Sequence, residues 1–192
     1  MTRAAALLFL LAAALCAQAP GGRWIDVPFI AQPPEGCGAA SLAMVMQYWA
    51  AQPGGAPSAG SDAAAIQRAL YVPREHGIPA QAMTQYLRQQ GFTAIAFSGT
   101  WDDLVEQVSK GRPLIAALRP AGQAGLHYVV IDGVDPGVNS GRAAVIMNDP
   151  AARKLLAEER AGFEKEWNAT HNWLLLAVPA AAQSGAQSPQ SH

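Results

Sequence analysis

From Pro113 onward the apolar residues come in short continuous runs: PLIAAL, LHYVVIDGV, RAAVIMND and NWLLLAVP. Runs of that length, bounded by Gly, Pro and Asn, read as strands, with a short helix around Phe163 to Trp167 between them. The first part of the chain is patterned differently. Leu42, Val45, Met46 and Trp49 recur at i, i+3, i+4 and i+7, a stripe that predicts a helix from Cys37 to Ala50. Ser61 and Asp62 can cap a second helix through Leu70, and Pro79 can open a third, with Met83, Tyr86 and Leu87 on one face and Gly91 at its end. Thr100 and Asp103 form a capping box for a fourth, which Gly111 stops. RWIDVPFI and TAIAFS read as short strands. A helical front half followed by a strand-rich back half predicts an α+β domain, with helices packed on one side of an antiparallel sheet.

The 192 residues allow one domain, expected over residues 23–179. Before it, residues 1–19 carry Arg3 and an unbroken apolar run from Ala4 to Leu15. That is a signal-peptide pattern, too short to remain as a membrane span. An exported protein, periplasmic or extracellular, is expected. Lipid anchoring at Cys16 is the lesser alternative, since the bulky Leu15 precedes it where small residues are favoured. Residues 180–192 have no apolar periodicity and read as a disordered tail. The charges, 13 Lys+Arg against 14 Asp+Glu, form no basic run, which argues against nucleic acid as a partner. With Cys16 in the removable segment, Cys37 is the only cysteine of the mature chain, so no internal disulfide is available.

Cys37 starts the first predicted helix between Gly36 and Gly38. A thiol there meets free backbone N–H groups and the positive end of the helix dipole, which favour thiolate. The flanking glycines leave room for a substrate backbone. The same stretch suits a small buried residue in a tight turn, and local sequence leaves both readings open. Of four histidines, His192 lies in the tail, His76 in the loop VPREHGIP, and His171 before the last strand, while His127 opens the strand HYVVIDGV. If segments 127–134 and 142–149 pair symmetrically about DPGVNSG, opposed residue numbers sum to 276. His127 then faces Asp149, with Cβ atoms about 5 Å apart. Asp132 falls on the opposite face, and Asp135 lies roughly 26 Å along the strand. Asn148 could replace Asp149 if a bulge shifts the register by one. Gln32, five residues before Cys37, can supply a side-chain amide to an oxyanion hole, or be an ordinary solvated glutamine. A single cysteine and scattered histidines lack metal-ligand spacing, so no metal and no cofactor are expected.

These segments together resemble the bacterial papain-like cysteine peptidases of the C39 type. VPFIAQPPEGCGAASLAMVMQYW corresponds around the nucleophile, LHYVVIDGVD around the base, and VIMNDPA around the acid, followed by Phe163, Trp167 and a closing apolar strand. The likeness runs from Ile25 to Pro179. It implies a papain-like α+β fold, with Cys37 as nucleophile, His127 as general base and then acid, Asp149 as the residue that orients the imidazole, and Gln32 as oxyanion donor. It further implies a peptide or protein substrate, and a monomer is expected. Gln32 departs from the pattern by standing five rather than six residues before the cysteine. Well-known transporter-fused members cut leader peptides after Gly-Gly, a specificity that is not carried over to a chain with an export signal. A catalytically silent peptide-binding module of the same fold, and a thiol amidase or acyltransferase, are the alternative functions.

Overall fold

The computed structural model describes residues 22–55, 59–122, 125–137 and 141–180. The expected signal peptide, Cys16 and all but the first residue of the expected tail lie outside the described residues.

Five α-helices are described: α1 (Cys37–Ala50), α2 (Ala63–Leu70), α3 (Ala80–Gln89), α4 (Trp101–Ser109) and α5 (Arg160–Asn168). Their starts follow from local chemistry. Asp62 Oδ1 accepts the Ala65 N–H at 2.7 Å to cap α2. At α4 the Thr100 hydroxyl accepts from the Asp103 N–H while the Asp103 carboxylate accepts from the Thr100 N–H, a reciprocal box that satisfies two otherwise orphaned donors. Helix α1 is buried nearly all round, from Cys37 through Met46 and again at Tyr48. The stripe read from its sequence is therefore only part of the buried surface, because the intervening positions are small: Gly38, Ala39, Ala40, Ser41 and Ala43. Small side chains let neighbouring elements close on every face of the helix.

The strands are β1 (Arg23–Trp24), β2 (Phe92–Ser98), β3 (Leu114–Leu118), β4 (His127–Asp135), β5 (Ala144–Asp149), β6 (Arg153–Glu159) and β7 (Trp173–Pro179). They form one sheet in the order β2-β7-β3-β4-β5-β6, with β1 joined to β4, and all pairs are antiparallel. α1 packs on β4, β3 and β7, α4 on β4, β3 and β1, and α5 on β3, β5 and β6. Every residue of β3 and the interior of β4 are buried, so the sheet's centre is covered on both faces, more than a single helical layer supplies.

Two strands differ from expectation. β1 ends at Trp24 because the chain bends, with Val27 N–H donating to the Ile25 carbonyl at 2.9 Å, and Pro28 offers no donor to extend the ladder. β6 has no counterpart in the sequence reading. Its segment, RKLLAEE, is rich in charge and only partly buried, as suits an edge strand that must not pair with another chain.

The hairpin of β4 and β5 sets the site. Val130 pairs with Asn148 and Ile131 with Met147, giving sums of 278, before a bulge moves Gly133 opposite Ile146. The symmetrical register with sum 276 is thus displaced by two residues. Continuing the observed register places Asp149 across from Val129 rather than His127. A shift of two preserves the face, so His127 and Asp149 still project on the same side, as diagonal neighbours.

Candidate active site

Cys37 is the first residue of α1, and Gly36 is its N-cap. A Cβ on Gly36 would lie 2.6 Å from the Pro33 ring, so only glycine permits the turn that the Gly36 N–H closes onto the Pro33 carbonyl. No acidic residue stands in the first turn of α1 to compete for its positive end. The thiol is nearly buried yet borders a cavity shared with Leu126 and Tyr128, the residues on either side of His127.

His127 begins β4, at the end of an interior strand of the sheet rather than on its edge. The imidazole Nε2 is 2.8 Å from Asp149 Oδ1, and the ring lies close enough to Cys37 to interact with it electrostatically. The Cys37 thiol itself donates at 4.0 Å to the carbonyl of Leu126, the residue before His127. Asp149 Oδ1 accepts the Ala151 N–H at 2.8 Å as well, which fixes the carboxylate at the turn out of β5. Burial alone would drive the imidazole toward neutrality. The hydrogen bond with Asp149 and the interaction with Cys37 outweigh it and raise the His127 pKa to about 9. Burial likewise opposes charge on Asp149, but His127 and the amides of Ala151 and Ala152 hold its pKa below the usual carboxylate value. The arrangement favours a charged imidazolium between a thiol and a carboxylate.

Gln32 reaches the same place from the other side. Its N–H donates to the Pro150 carbonyl at 2.9 Å, next to Asp149, and its side chain lines a second cavity with His127 and Asp149. Gln32 Oε1 is buried without a partner among the described residues, and no hydrogen bond ties the amide to Cys37. The structure therefore brings Cys37, His127 and Asp149 together, with His127 paired to Asp149, and sets Gln32 beside them.

The alternatives lie elsewhere. Asn148, offered as a replacement for Asp149, is fully buried and spends its amide on the Val27 carbonyl at 3.1 Å and the Leu155 N–H at 3.0 Å. A bulge does occur in the pairing of β5 with β6, but it does not turn Asn148 toward His127. Asp135 accepts the Gly137 N–H in the hairpin turn. His76 pairs with Glu35 and His171 sits in the turn before β7. Among the described residues no group of three His, Cys, Asp or Glu could hold a metal ion.

Sequence reasoning missed the walls of the two cavities. On the Cys37 side stand Glu75, Ile78, Pro79, Leu126 and Tyr128; on the His127 side stand Leu118, Glu158 and Glu166. Leu126 and Tyr128 were findable as neighbours of His127. Glu158 belongs to the edge strand that carries no apolar run.

The family model described as the Peptidase_C39 like family matches residues 24–174. The chain belongs to this family. Solved structures share its fold. A double glycine motif protease from an AMS/PCAT transporter, solved in complex with a leader peptide, is 21% identical with a TM-score of 0.58, covering 82% of this chain and 95% of that one. A protein from Bacillus anthracis described as a C39-like peptidase is 19% identical, with a TM-score of 0.59 over 83% of this chain and 99% of that one. The peptidase domain of Streptococcus ComA, a bifunctional ABC transporter, is 16% identical, with a TM-score of 0.59 over 82% and 98%. Identities this low show the fold alone: a papain-like antiparallel sheet with helices. No curated protein matches the chain. Among the described residues no helix is long and apolar enough to cross a membrane.

Proposed function

We propose that this C39-like protein is a cysteine peptidase that cleaves peptide bonds by acyl transfer. The single observation that carries the reading is His127, paired with Asp149 Oδ1 at 2.8 Å beside the Cys37 thiol, which donates to the neighbouring Leu126 carbonyl. The proton that the Cys37 sulfur gives up as it attacks resides on His127. The Cys37 sulfur attacks the substrate carbonyl carbon, and the backbone N–H of Cys37 and the Gln32 amide receive the developing oxyanion. His127 gives its proton to the leaving amine as the C–N bond breaks, leaving a thioester on Cys37. Water, deprotonated by His127, then hydrolyses the thioester and frees the acid. Asp149 keeps the ring oriented throughout, as in any nucleophile–base–orienter set. Because His127 protonates the leaving amine, the amine side of the substrate lies in the cavity lined by His127 and the acyl side in the cavity lined by Cys37.

A peptide substrate is supported by the leader peptide bound to the transporter-derived relative. Export, with action in the periplasm or outside the cell, is supported by the Arg3 and Ala4–Leu15 pattern; cell fractionation of the full chain tests it. The chemistry is tested by iodoacetamide labelling at pH 6 together with turnover of a peptide library. Cys37 is expected to react at least tenfold faster than free cysteine, and Cys37→Ala to abolish turnover while retaining the fold. Labelling no faster than free cysteine would remove the reading.

A further inference from the structure

Glu35 and His76 have left-handed backbones, with φ of 55° and 49°, a region disfavoured for residues that carry a Cβ. The two side chains meet. His76 Nδ1 lies 2.8 Å from Glu35 Oε1, and the Tyr71 hydroxyl donates to Glu35 Oε2. One carboxylate thus grips both ends of a small loop, which is closed on itself by the Val72 N–H to the Gly77 carbonyl at 2.9 Å. Gln67 Nε2 also donates to the Glu35 carbonyl. The Tyr71 hydroxyl, then His76, hold the Glu35 carboxyl below its ordinary range, consistent with a charged acceptor.

The location gives this clamp its meaning. Glu35 stands between Gln32 and Cys37, in the third position of the turn closed by Gly36 onto Pro33, where a positive φ ordinarily selects glycine. The loop it holds continues through Glu75, Ile78 and Pro79, which wall the cavity beside Cys37. The contacts are solvent-exposed, and exposed ion pairs add little to global stability. Their effect is local order of that wall.

We propose that Glu35 is a positioning residue that fixes the Val72–Gly77 loop as the wall against which the acyl side of a peptide substrate is held. This rests on the peptidase reading above. Glu35→Gly is the discriminating variant, since it removes the clamp while giving the turn its favoured residue, so the fold is retained. With a peptide substrate, KM is expected to rise at least fivefold with kcat within twofold of wild type. Alkylation of Cys37 by iodoacetamide, which needs no wall, should be unchanged. Glu35→Gln, which keeps acceptor capacity for Tyr71, should lie between. An unchanged KM overturns the proposal, and so does a fall in alkylation parallel to that in turnover, which would mean a damaged nucleophile. If the wild-type chain turns over no peptide, the peptidase reading fails by itself. The clamp is then judged by hydrogen exchange, with the Val72 amide expected to exchange at least tenfold faster in Glu35→Gly and an unchanged rate counting against it.

Discussion

Asp132 lies on β4, in the bulge between Ile131 and Gly133, with no solvent exposure and neither carboxylate oxygen hydrogen-bonded among the described residues. Burial raises its pKa to about 8, against a partial opposing pull from its own backbone amide and Lys154. The folded protein therefore carries a proton that the unfolded chain has released above its ordinary pKa of about 4. For a group whose folded pKa is raised, the stabilising contribution is complete below the unfolded value and is lost as pH rises through the folded one. Between those limits the unfolding free energy falls by about 1.4 kcal/mol per pH unit from this one residue. From pH 5 to pH 8 the loss amounts to at most about 4 kcal/mol, a large share of the 5–15 kcal/mol typical of a domain. Asp132→Asn keeps the shape and removes the titration. Urea unfolding followed by tryptophan fluorescence, repeated from pH 5 to 8.5, should show the wild type losing stability steeply while the variant stays flatter, with the variant the more stable at pH 8. Parallel pH profiles for the two proteins would refute the assignment of a buried, uncompensated acid.

Asp149→Asn removes the charge that chiefly holds His127 protonated. Iodoacetamide labelling of Cys37 at pH 6 should slow at least tenfold, and the wild-type stability that His127 contributes below about pH 6.5, lost as pH rises through about 9, should vanish from the pH profile. Gln32→Ala should lower kcat by roughly tenfold to a thousandfold with little change in KM, measured in steady-state turnover, if its amide meets the oxyanion. Gly133→Ala would place a Cβ 2.8 Å from Trp24 Cβ and 2.9 Å from Ile146 Cβ; a loss of about 1–3 kcal/mol is expected by denaturant unfolding, without change in the labelling rate.

Much of this site was legible because its signals are local. The glycine pair around Cys37, the capping pairs at Asp62 and Thr100, and the strand beginning at His127 each follow from neighbouring residues. The juxtaposition of His127 with Asp149 was legible for a subtler reason. The hairpin register was misplaced by two residues, but faces alternate with period two, so an even error leaves the partner on the correct side. An odd error would have selected Asn148, which the structure commits to Val27 and Leu155 instead. What stayed hidden depended on long-range packing. β6 has no apolar run because it closes the sheet's edge, and with it Glu158 was missed. The grip of Glu35 on Tyr71 and His76 joins residues 36 and 41 positions apart in exposed loops, where no periodicity exists to read.

Cys37, the proposed nucleophile, stands at the head of α1, a helix buried nearly all round, and His127, its proposed base, opens β4, an interior strand of the sheet. Neither element can leave its neighbours without exposing the central core. Moving either element as a whole away from the other therefore requires the domain to open. The enhanced reactivity proposed for Cys37 then becomes a clock for global unfolding: on heating, it should decay with the same rate constant as the tryptophan signal.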